Sequence, residues 1–437
     1  MSTIVIGAGV AGLAAAKTLQ SEGERVIVLE AKNRIGGRAY TNRDFADIPV
    51  EFGAEFIHGD QVATWELIKS LGLPTLHWTK EDDSLIRLED GSWLTMAAAR
   101  ISNPDFDITR SWDLPDVEPL PSEDWRAYLR RIGFSRQQLR YVRRSFANAC
   151  GENMRFLSAR AMLAIIKDKE GESGLGDYRI MCGYDRLVEH LAEGLELHLN
   201  DPIMRIRWAV NGGVTVNTLG GESHWADAAV ISVPLGVLKA GMISFDPVLP
   251  SVKKTALAGL RMGPVIKLIY KFAGPIMPPE IMALYSRENP PMWWSPSFGH
   301  TTNETIWTAF VSGSWAVDLL ALGETGALEH GLKSLKNELG RNDLEVTKSY
   351  LVNWPDDPYT RGGYSFVLPG FDGAREQLAA PTPPLYWAGE ATEPEHRAAT
   401  VHGALLSGKR AAAEVLSYTQ QATVLPIATH VEHKDQT

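Results

Sequence analysis

A glycine-rich turn near the N-terminus constrains the fold more than any other feature of this chain. Residues 7–12 read Gly-Ala-Gly-Val-Ala-Gly, between a β-branched run over residues 3–7 and a segment of helical composition over residues 10–21. A second β-rich run follows at residues 25–30. The order of strand, glycine turn, helix and strand predicts one βαβ unit that begins almost at the first residue.

Each glycine of the turn has a separate physical task. Gly7 permits a tight turn, Gly9 lets the backbone approach a pyrophosphate group, and Gly12 lets the helix pack closely against the strand. The first turn of the helix offers unpaired N–H groups and the positive end of its dipole to phosphates. Glu30, at the end of the second run, can accept hydrogen bonds from ribose hydroxyls. These features together predict that the chain binds a dinucleotide.

A second glycine pair lies just beyond Glu30. Residues 30–38 read E-A-K-N-R-I-G-G-R, in which Gly36 and Gly37 permit another close backbone approach and Arg38 can reach a phosphate. This string resembles FAD-binding flavoproteins of the amine oxidase superfamily. It separates the chain from a plain nicotinamide dehydrogenase.

Four further segments resemble the same superfamily, in the same order along the chain. In that family the first passes under the isoalloxazine ring, and the second is shared by polyamine oxidases and flavin-dependent histone lysine demethylases. The third carries a flavin-facing lysine, here Lys267, and the fourth is the C-terminal FAD signature. They are residues 51–59 (EFGAEFIHG), 232–239 (SVPLGVLK) with 245–250, 263–267 (GPVIK), and 386–392 (YWAGEAT) with 399–408 (ATVHGALLSG). The chain is identified as a member of this superfamily, closest in motif to the polyamine oxidases.

Details within these segments favour the polyamine oxidase branch and non-covalent FAD. His58 stands where animal acetylpolyamine and spermine oxidases carry a histidine near the flavin. Monoamine oxidases have a tyrosine where Thr400 stands, and they attach FAD through a cysteine in a Gly-Gly-Cys-Tyr string. Here that string is Gly362-Gly363-Tyr364, and the two cysteines, Cys150 and Cys182, lie far from it along the chain. The resemblance therefore implies FAD without a covalent link and an aromatic cage with at most one wall.

The resemblance also implies the reaction and four catalytic residues. A neutral amine transfers hydride to flavin N5, O2 reoxidises the flavin to give H2O2, and the imine hydrolyses to an aldehyde. Lys267 is expected to hold a water at N5, and His58 to take a proton from the substrate ammonium or to hydrogen-bond the substrate. Tyr364 is expected to form an aromatic wall, and Thr400 to begin a helix that faces the flavin. A structural histidine and a packed core tyrosine remain alternatives for His58 and Tyr364. A lysine within the apolar residues 265–270 is costly unless it is partnered, which favours a function for Lys267.

The expected FAD contacts share positions at glycine turns, at strand ends and at the start of the last helix. By motif and resemblance they are Gly7, Gly9, Val10, Ala11, Gly12, Glu30, Lys32, Gly36, Gly37, Arg38, Gly53, Ala54, Glu55, Phe56, Ile203, Trp354, Tyr359, Gly389, Glu390, Ala399, Thr400 and Val401.

The pattern of segments predicts an α/β fold (α+β overall) with two interleaved domains. The first is a Rossmann-like FAD-binding domain, and the second is a substrate-binding domain with a β-sheet flanked by helices. Residues 77–176, which lack glycine fingerprints, are expected to be mainly helical. The FAD-binding domain is predicted at 1–75, 177–261 and 376–420, the substrate-binding domain at 76–176 and 262–375, and a polar tail at 421–437.

Composition limits the cellular compartment and the classes of binding partner that we expect for this chain. The 437 residues carry a formal net charge of −10, which argues against nucleic-acid binding but is compatible with attracting a cationic amine. Two cysteines are too few for a disulfide framework or a thiolate metal site, and no stretch is long and apolar enough for a membrane span. We expect a cytoplasmic protein, a monomer or homodimer, whose partners are an amine substrate and molecular oxygen.

Several alternatives and secondary features remain open. An L-amino acid oxidase on the same scaffold would need an arginine to bind the substrate carboxylate, and Arg397 is a candidate. A third possibility is a partner-binding flavoprotein resembling the histone demethylases. Acidic residues at 81–83 or 113–124 are candidates for the entrance of the substrate pocket. His430 and His433 form H-x-x-H, but no cysteine lies nearby and no metal site is expected.

Overall fold

The computed structural model describes residues 2–102, 114–168, 173–210 and 212–424, and side chains as far as residue 418. Within these ranges the strands are β1 (Ser2–Ile6), β2 (Arg25–Leu29), β3 (Thr41–Asn42), β4 (Val50–Glu51), β5 (Phe56–His58), β6 (Thr75–Trp78), β7 (Ser84–Arg87), β8 (Trp93–Thr95), β9 (Asp177–Ile180), β10 (Glu196–His198), β11 (Ile203–Ala209), β12 (Gly213–Thr218), β13 (Ser223–Ala226), β14 (Ala228–Ile231), β15 (Ser244–Asp246), β16 (Leu260–Met262), β17 (Val265–Phe272), β18 (Ala283–Tyr285), β19 (Met292–Trp294), β20 (Thr305–Ser312), β21 (Val346–Asn353), β22 (Ser365–Val367) and β23 (Leu385–Trp387).

The helices described in the same ranges are α1 (Val10–Ser21), α2 (Thr64–Ser70), α3 (Met96–Ser102), α4 (Trp125–Arg131), α5 (Arg136–Val142), α6 (Ala159–Asp168), α7 (Asp185–Ala192), α8 (Leu235–Lys239), α9 (Ser251–Gly259), α10 (Gly313–Leu320), α11 (Gly323–Leu339), α12 (Ala374–Ala379) and α13 (Val401–Val424). A π-helical turn, Arg143–Ala147, extends α5, and a 3-10 turn, Glu390–Thr392, follows β23. No helix in the described part of the chain has both the length and the apolar character to cross a membrane.

A five-stranded parallel sheet contains the predicted βαβ unit. Its strand order is β10-β2-β1-β14-β23, and β1 pairs through Ile4 with Ile27 of β2 and Ala229 of β14. β1 and β14 are buried, which explains why their sequences are continuous apolar runs and do not alternate. The predicted α/β class with a Rossmann-like sheet is confirmed. Because the strands are parallel, their carboxyl ends meet at one edge of the sheet.

A larger, mixed sheet lies beside the first. Its order is β21-β17-β20-β19-β18-β7-β8, and β17 pairs antiparallel with both β20 and β21. The expectation of a mainly helical segment over residues 77–176 was wrong at its start, because β7 and β8 extend this sheet. The two strands are only four and three residues long. They are ordered by pairing with the distant β18, a contact that local sequence does not encode.

A separate three-stranded sheet has the order β5-β9-β6. In its register, Asp177 of the central strand pairs with His58 on one side and with Trp78 on the other. β6 crosses the predicted domain boundary at residues 75 and 76. The exact division into two domains therefore stays a prediction.

Short helices between residues 125 and 168 cover one side of the molecule. Asp124 caps α4 by accepting from the Ala127 N–H at 2.8 Å, and Ser135 and Gln138 form a reciprocal capping box on α5. Trp125 and Tyr128 are fully buried in the hydrophobic core below them. These caps satisfy helix N–H groups that would otherwise lack partners.

Two glycines fix the position of the last helix. A Cβ atom at Gly12 would lie 1.9 Å from the Gly7 carbonyl oxygen, and one at Gly408 would lie 2.2 Å from the Ala11 carbonyl oxygen. α1 can therefore pack against the first turn, and α13 against α1, only because both positions lack a side chain. This packing places the N-terminus of α13 at the carboxyl edge of the parallel sheet.

Candidate functional site

One large cavity opens at the carboxyl edge of the parallel sheet. It has a volume of about 1000 Å³ and is lined by residues that follow β1, β2, β14 and β23, among them Gly7, Glu30, Ser232 and Gly389. Every site residue expected from the sequence lines it except Gly12, which is packed against Gly7.

The glycine turn forms a cradle with open space above it. A Cβ atom built at Gly9 would meet no atom within 4 Å, whereas one at Gly7 would lie 2.8 Å from the Ser232 hydroxyl. Gly9 is the N-cap of α1 and has no side-chain cap, and the first turn of the helix carries no acidic residue. The N–H groups of this turn therefore face the cavity without a protein anion. Such a cradle fits the phosphates of a dinucleotide.

The Glu30 carboxylate holds the second glycine loop in place. It accepts from the N–H of Ala8 at 2.7 Å and from the N–H of Lys32 at 2.9 Å. The Gly36 N–H donates to the Ala8 carbonyl at 2.8 Å, which joins the two glycine turns. A carboxylate has about four acceptor sites, so Glu30 can still accept from ribose hydroxyls. The residues present thus fit the adenosine half of FAD.

A buried charged network lies behind the other end of the glycine loops. The Glu390 carboxylate accepts from Arg38 at 2.9 Å and from the Ser365 hydroxyl at 2.6 Å, and Arg375 donates to the same hydroxyl at 2.7 Å. Burial by itself would raise the pKa of Glu390, but Arg38 and Arg375 hold that pKa below its ordinary value. Glu390 is therefore ionised and fixes the Ala399 N–H, at 3.1 Å, beside the cavity.

Thr400 caps the last helix. Its hydroxyl donates to the Arg397 carbonyl at 2.6 Å and accepts from the Gly403 N–H at 3.0 Å. Ala399 has φ 61°, a left-handed conformation that costs a residue with a side chain about 1–2 kcal/mol. The side chain of Thr400 is thus used for capping, while Ala399, Thr400 and Val401 line the cavity. The positive end of the α13 dipole faces this space.

Lys267 is buried in the floor of the cavity, on strand β17. Its Nζ donates to the carbonyl oxygens of Glu51 and Gly53 at 2.8 and 2.9 Å. It also donates to the Glu55 carboxylate at 3.0 Å, and Arg179 lies 3.7 Å from the other oxygen of that carboxylate. An ammonium has three donors, and all three are used here. A water held by Lys267 would have to replace one of these acceptors.

Glu51 adds a second carboxylate to this buried group. Burial raises its pKa to about 7, against the lowering effect of hydrogen bonds from the Tyr184 N–H and the Thr41 hydroxyl, each 2.8 Å long. Close to neutral pH, the charge around Lys267 therefore depends on the protonation of Glu51.

A row of aromatic rings leads away from Lys267 along the cavity. The Lys267 Nζ lies 5.3 Å from the centroid of the Trp294 ring. Phe56 is 5.4 Å from Trp294 and 5.2 Å from Trp78, and Phe310 is 5.7 Å from Trp294, between centroids. All of these residues line the cavity. Such a wall can contact the methylene groups of an alkyl amine and attract its cationic nitrogen.

A buried carboxylate, Asp177, lies at the far end of this aromatic wall. Its Oδ1 is 2.5 Å from His58 Nδ1, and its Oδ2 contacts the ammonium of Lys80. Both partners are set by the sheet, because His58 pairs with Asp177 in register and Lys80 follows β6. His58 was expected from the sequence, whereas Asp177 and Lys80 were not. No motif surrounds them, and their proximity arises only from the pairing of three distant strands.

Tyr364 also lines the cavity, with its hydroxyl donating to the Ala149 carbonyl. Burial raises the pKa of this hydroxyl well above its ordinary value, so it stays protonated. A Cβ atom at Gly151 would lie 2.7 Å from the Tyr364 ring. Cys150, between Ala149 and Gly151, is thus close to Tyr364 in space and lines the cavity. Cys150 is far from residues 362–364 along the chain but near them in the fold.

The remaining sequence-based candidates have different surroundings. Arg397 lies 3.7 Å from Glu393 and is not among the described residues that line the cavity. Glu81 does line it and pairs with Arg100 at 2.7 Å. Described residues of the 114–124 segment do not line it, while Asp113, His430 and His433 lie outside the described residues.

One further cluster lies near the adenine end expected from Ile203. Among the described residues, His198, Asp201 and His224 form a group whose possible ligand atoms lie within 4.8 Å of one another. His224 Nε2 is 3.6 Å from Asp201 Oδ2 and 3.5 Å from the exposed Glu222 carboxylate, spacings typical of a histidine beside acidic groups. No sequence motif marked this cluster.

Comparisons of sequence show which proteins the chain resembles. A family model described as flavin-containing amine oxidoreductase matches residues 10–416. Polyamine oxidase 4 of rice (Oryza sativa subsp. japonica) is 31% identical, with 94% of this chain and 88% of the relative covered. Human lysine-specific histone demethylase 2 is 29% identical over 95% of this chain, which corresponds to 53% of the demethylase. The similarity to the demethylase thus covers about half of its length.

Comparisons of structure agree on the fold. A putrescine oxidase bound to putrescine superposes with a TM-score of 0.79 at 22% identity, covering 95% of this chain and 99% of the other. A cyclohexylamine oxidase from Brevibacterium oxydans gives a TM-score of 0.77 at 22% identity, covering 96% and 99%.

Proposed function

The chain belongs to the flavin-containing amine oxidoreductases, and from this premise we propose that it oxidises polyamines or similar amines, with FAD as cofactor and O2 as electron acceptor. One observation carries the proposal. A single cavity joins the glycine cradle, the buried Lys267, an aromatic wall and the Asp177 carboxylate. A cationic alkyl chain can lie along this wall with one nitrogen near Lys267 and another near Asp177.

The chain's own residues would bind FAD at three places. The cradle at Gly9 holds the pyrophosphate, Glu30 the adenosine ribose, and the first turn of α13 the pyrimidine side of the flavin ring. Bound FAD would supply the redox chemistry, taking hydride from the amine and reducing O2 to H2O2. The protein's task is to orient the amine, exclude water and move protons.

His58 is placed to interact with the substrate nitrogen through its Nε2 atom. The contact of its Nδ1 with the Asp177 carboxylate favours a proton on that nitrogen, which leaves Nε2 as the basic atom of the neutral ring. The side chain of His58 is 54% exposed, toward the cavity. We therefore assign to Nε2 a hydrogen bond with the amine substrate at this end of the aromatic wall.

We assign to Lys267 the role of orienting one water beside the reacting carbon. Of the three acceptors of Lys267, the Glu55 carboxylate is the one that a water can most easily replace. Arg179 lies near the same carboxylate and would still balance its negative charge. The imine product is hydrolysed to an aldehyde by water.

An L-amino acid oxidase is the weaker alternative. It would need a cation to bind the substrate carboxylate, and Arg397 lies beside Glu393 and outside the cavity lining. We also propose that FAD is bound without a covalent link, because residues 362–364 carry no cysteine. Acid precipitation of the holoenzyme should release all of the flavin into the supernatant, and flavin retained in the pellet would contradict this.

A peroxide-coupled substrate panel tests the proposed activity. The FAD-loaded enzyme is incubated with spermine, spermidine, putrescine, N-acetylated polyamines, benzylamine and L-amino acids. We expect H2O2 from amines, with the highest kcat/KM among polyamines. Turnover of L-amino acids alone would overturn the proposal.

Two lysines on β17 allow a matched test of the catalytic assignment. Lys267→Met should keep FAD bound and lower kcat by at least about tenfold. Lys271→Met, on the same strand but paired with Glu304 away from this cavity, should leave kcat unchanged. Equal kinetics in the two variants would remove the role assigned to Lys267.

A further inference from the structure

Lys80 forms an ion pair with Asp177, a carboxylate that lines the proposed substrate cavity. The Asp177 side chain is 8% exposed and contacts His58 through one oxygen and Lys80 through the other. Lys80 is itself a cation on a flexible stem, with 35% of its side chain exposed. Its ammonium therefore takes the position at which a cationic group of a ligand would meet Asp177.

The backbone at Lys80 supports this geometry. Lys80 has φ 64°, in the left-handed region that side-chain-bearing residues adopt at a cost of about 1–2 kcal/mol. This turn directs the lysine back over the Trp78 ring, with Nζ 4.7 Å from its centroid. Unfavourable backbone conformations persist where surrounding contacts fix them, often at functional sites.

The distance from the reaction centre suits a second nitrogen of the substrate. Lys267 contacts Glu55, and His58, three residues further along the same segment, contacts Asp177. Three residues of extended chain span about 10 Å. A diamine or polyamine with several methylene groups can bridge that length along Phe56 and Trp78, whereas a short monoamine cannot.

We propose that Lys80 is a tethered competitor for Asp177, which the second ammonium of a di- or polyamine displaces on binding. This inference rests on the proposed amine oxidase activity and names the residue that sets its preference among amines. A ligand that binds only when Lys80 has left Asp177 has an apparent Kd equal to its intrinsic Kd divided by the fraction of enzyme in that state. Lys80 therefore raises KM for polycationic amines and leaves KM for amines with one charge unchanged.

The test compares amines with and without a second charge. Lys80→Met removes the ammonium, and Lys80→Gly removes it while also fitting the left-handed backbone. Both variants should lower KM for spermidine roughly tenfold, which corresponds to about 1.4 kcal/mol. KM for benzylamine should stay within about twofold. Lys409→Met, which removes a surface lysine beside Glu66, is the control and should change none of these values.

A variant of the carboxylate itself distinguishes competition for Asp177 from general repulsion between Lys80 and a cationic substrate. In an Asp177→Asn background, KM for spermidine should rise, and the additional Lys80→Met change should lower it by less than about threefold. An equal fall in KM for spermidine and benzylamine, or a tenfold fall that persists in the Asn background, would overturn the inference. If no amine is oxidised by the unmodified enzyme, the proposed function itself has failed.

Discussion

Gly9→Ala should weaken FAD binding without destabilising the apoprotein. Gly9 has φ −76° and ψ 174°, which alanine adopts readily, and a Cβ atom there would meet nothing within 4 Å. The free energy of unfolding of the apoprotein should therefore stay unchanged or rise by up to about 1 kcal/mol, since alanine restricts the unfolded chain. In the holoenzyme, the methyl group would occupy the space assigned to the pyrophosphate.

The expected loss of affinity follows from the hydrogen bonds at stake. Moving a phosphate away from the first turn of α1 forfeits one charge-assisted hydrogen bond, worth about 1.5–3 kcal/mol. The Kd for FAD should then rise by roughly ten- to 200-fold. Titration of the apoprotein with FAD, followed by quenching of flavin fluorescence, measures this change. Thermal unfolding of the apoprotein measures its stability.

Gly12→Ala provides the matched contrast. Its Cβ atom would lie 1.9 Å from the Gly7 carbonyl and 2.6 Å from the Ser232 hydroxyl. The carbonyl belongs to a backbone turn, so the clash should cost about 3–5 kcal/mol in the free energy of unfolding. The reasoning is refuted if Gly9→Ala binds FAD as tightly as the unmodified protein, or if its apoprotein is destabilised as much as that of Gly12→Ala.

Three further predictions concern buried charges. A folded-state pKa of about 7 for Glu51, raised above the value of about 4.3 in an unfolded chain, means that stability falls as pH rises between these values, by up to about 4 kcal/mol. Glu51→Gln should remove that slope in urea unfolding, and an unchanged slope would reject this assignment. Lys253 is fully buried and donates to the Gln377 and Leu378 carbonyls at 2.9 and 2.6 Å, at the end of α12. Lys253→Met should lower the free energy of unfolding by about 2–4 kcal/mol, and a loss within experimental error would count against this role. Glu390→Gln should lower it by about 2–4 kcal/mol because the Arg38 guanidinium loses its anion, and a neutral result in thermal unfolding would contradict the ion network.

Sequence was most informative where local chemistry dictates structure. The glycine turn and its flanking runs predicted β1, α1 and β2 almost to the residue, because turn, helix and strand preferences there agree with the fold. The family motifs located residues that the structure then places around one cavity.

Sequence failed where structure depends on distant partners. β7 and β8 are strands only because they extend the edge formed by β18. Asp177 and Lys80 carry no motif, and their meeting depends on the pairing of β5, β9 and β6.

The most direct test of the proposed function is anaerobic reduction of the enzyme-bound flavin by an amine. FAD-loaded enzyme is mixed with spermidine in the absence of oxygen, and the visible absorbance of the flavin is followed in a stopped-flow instrument. Amine oxidation predicts complete bleaching with saturating dependence on spermidine, and recovery of the absorbance with release of H2O2 when air is admitted. A flavin that stays oxidised in excess spermidine and other amines, but is bleached by an L-amino acid, would contradict the proposal.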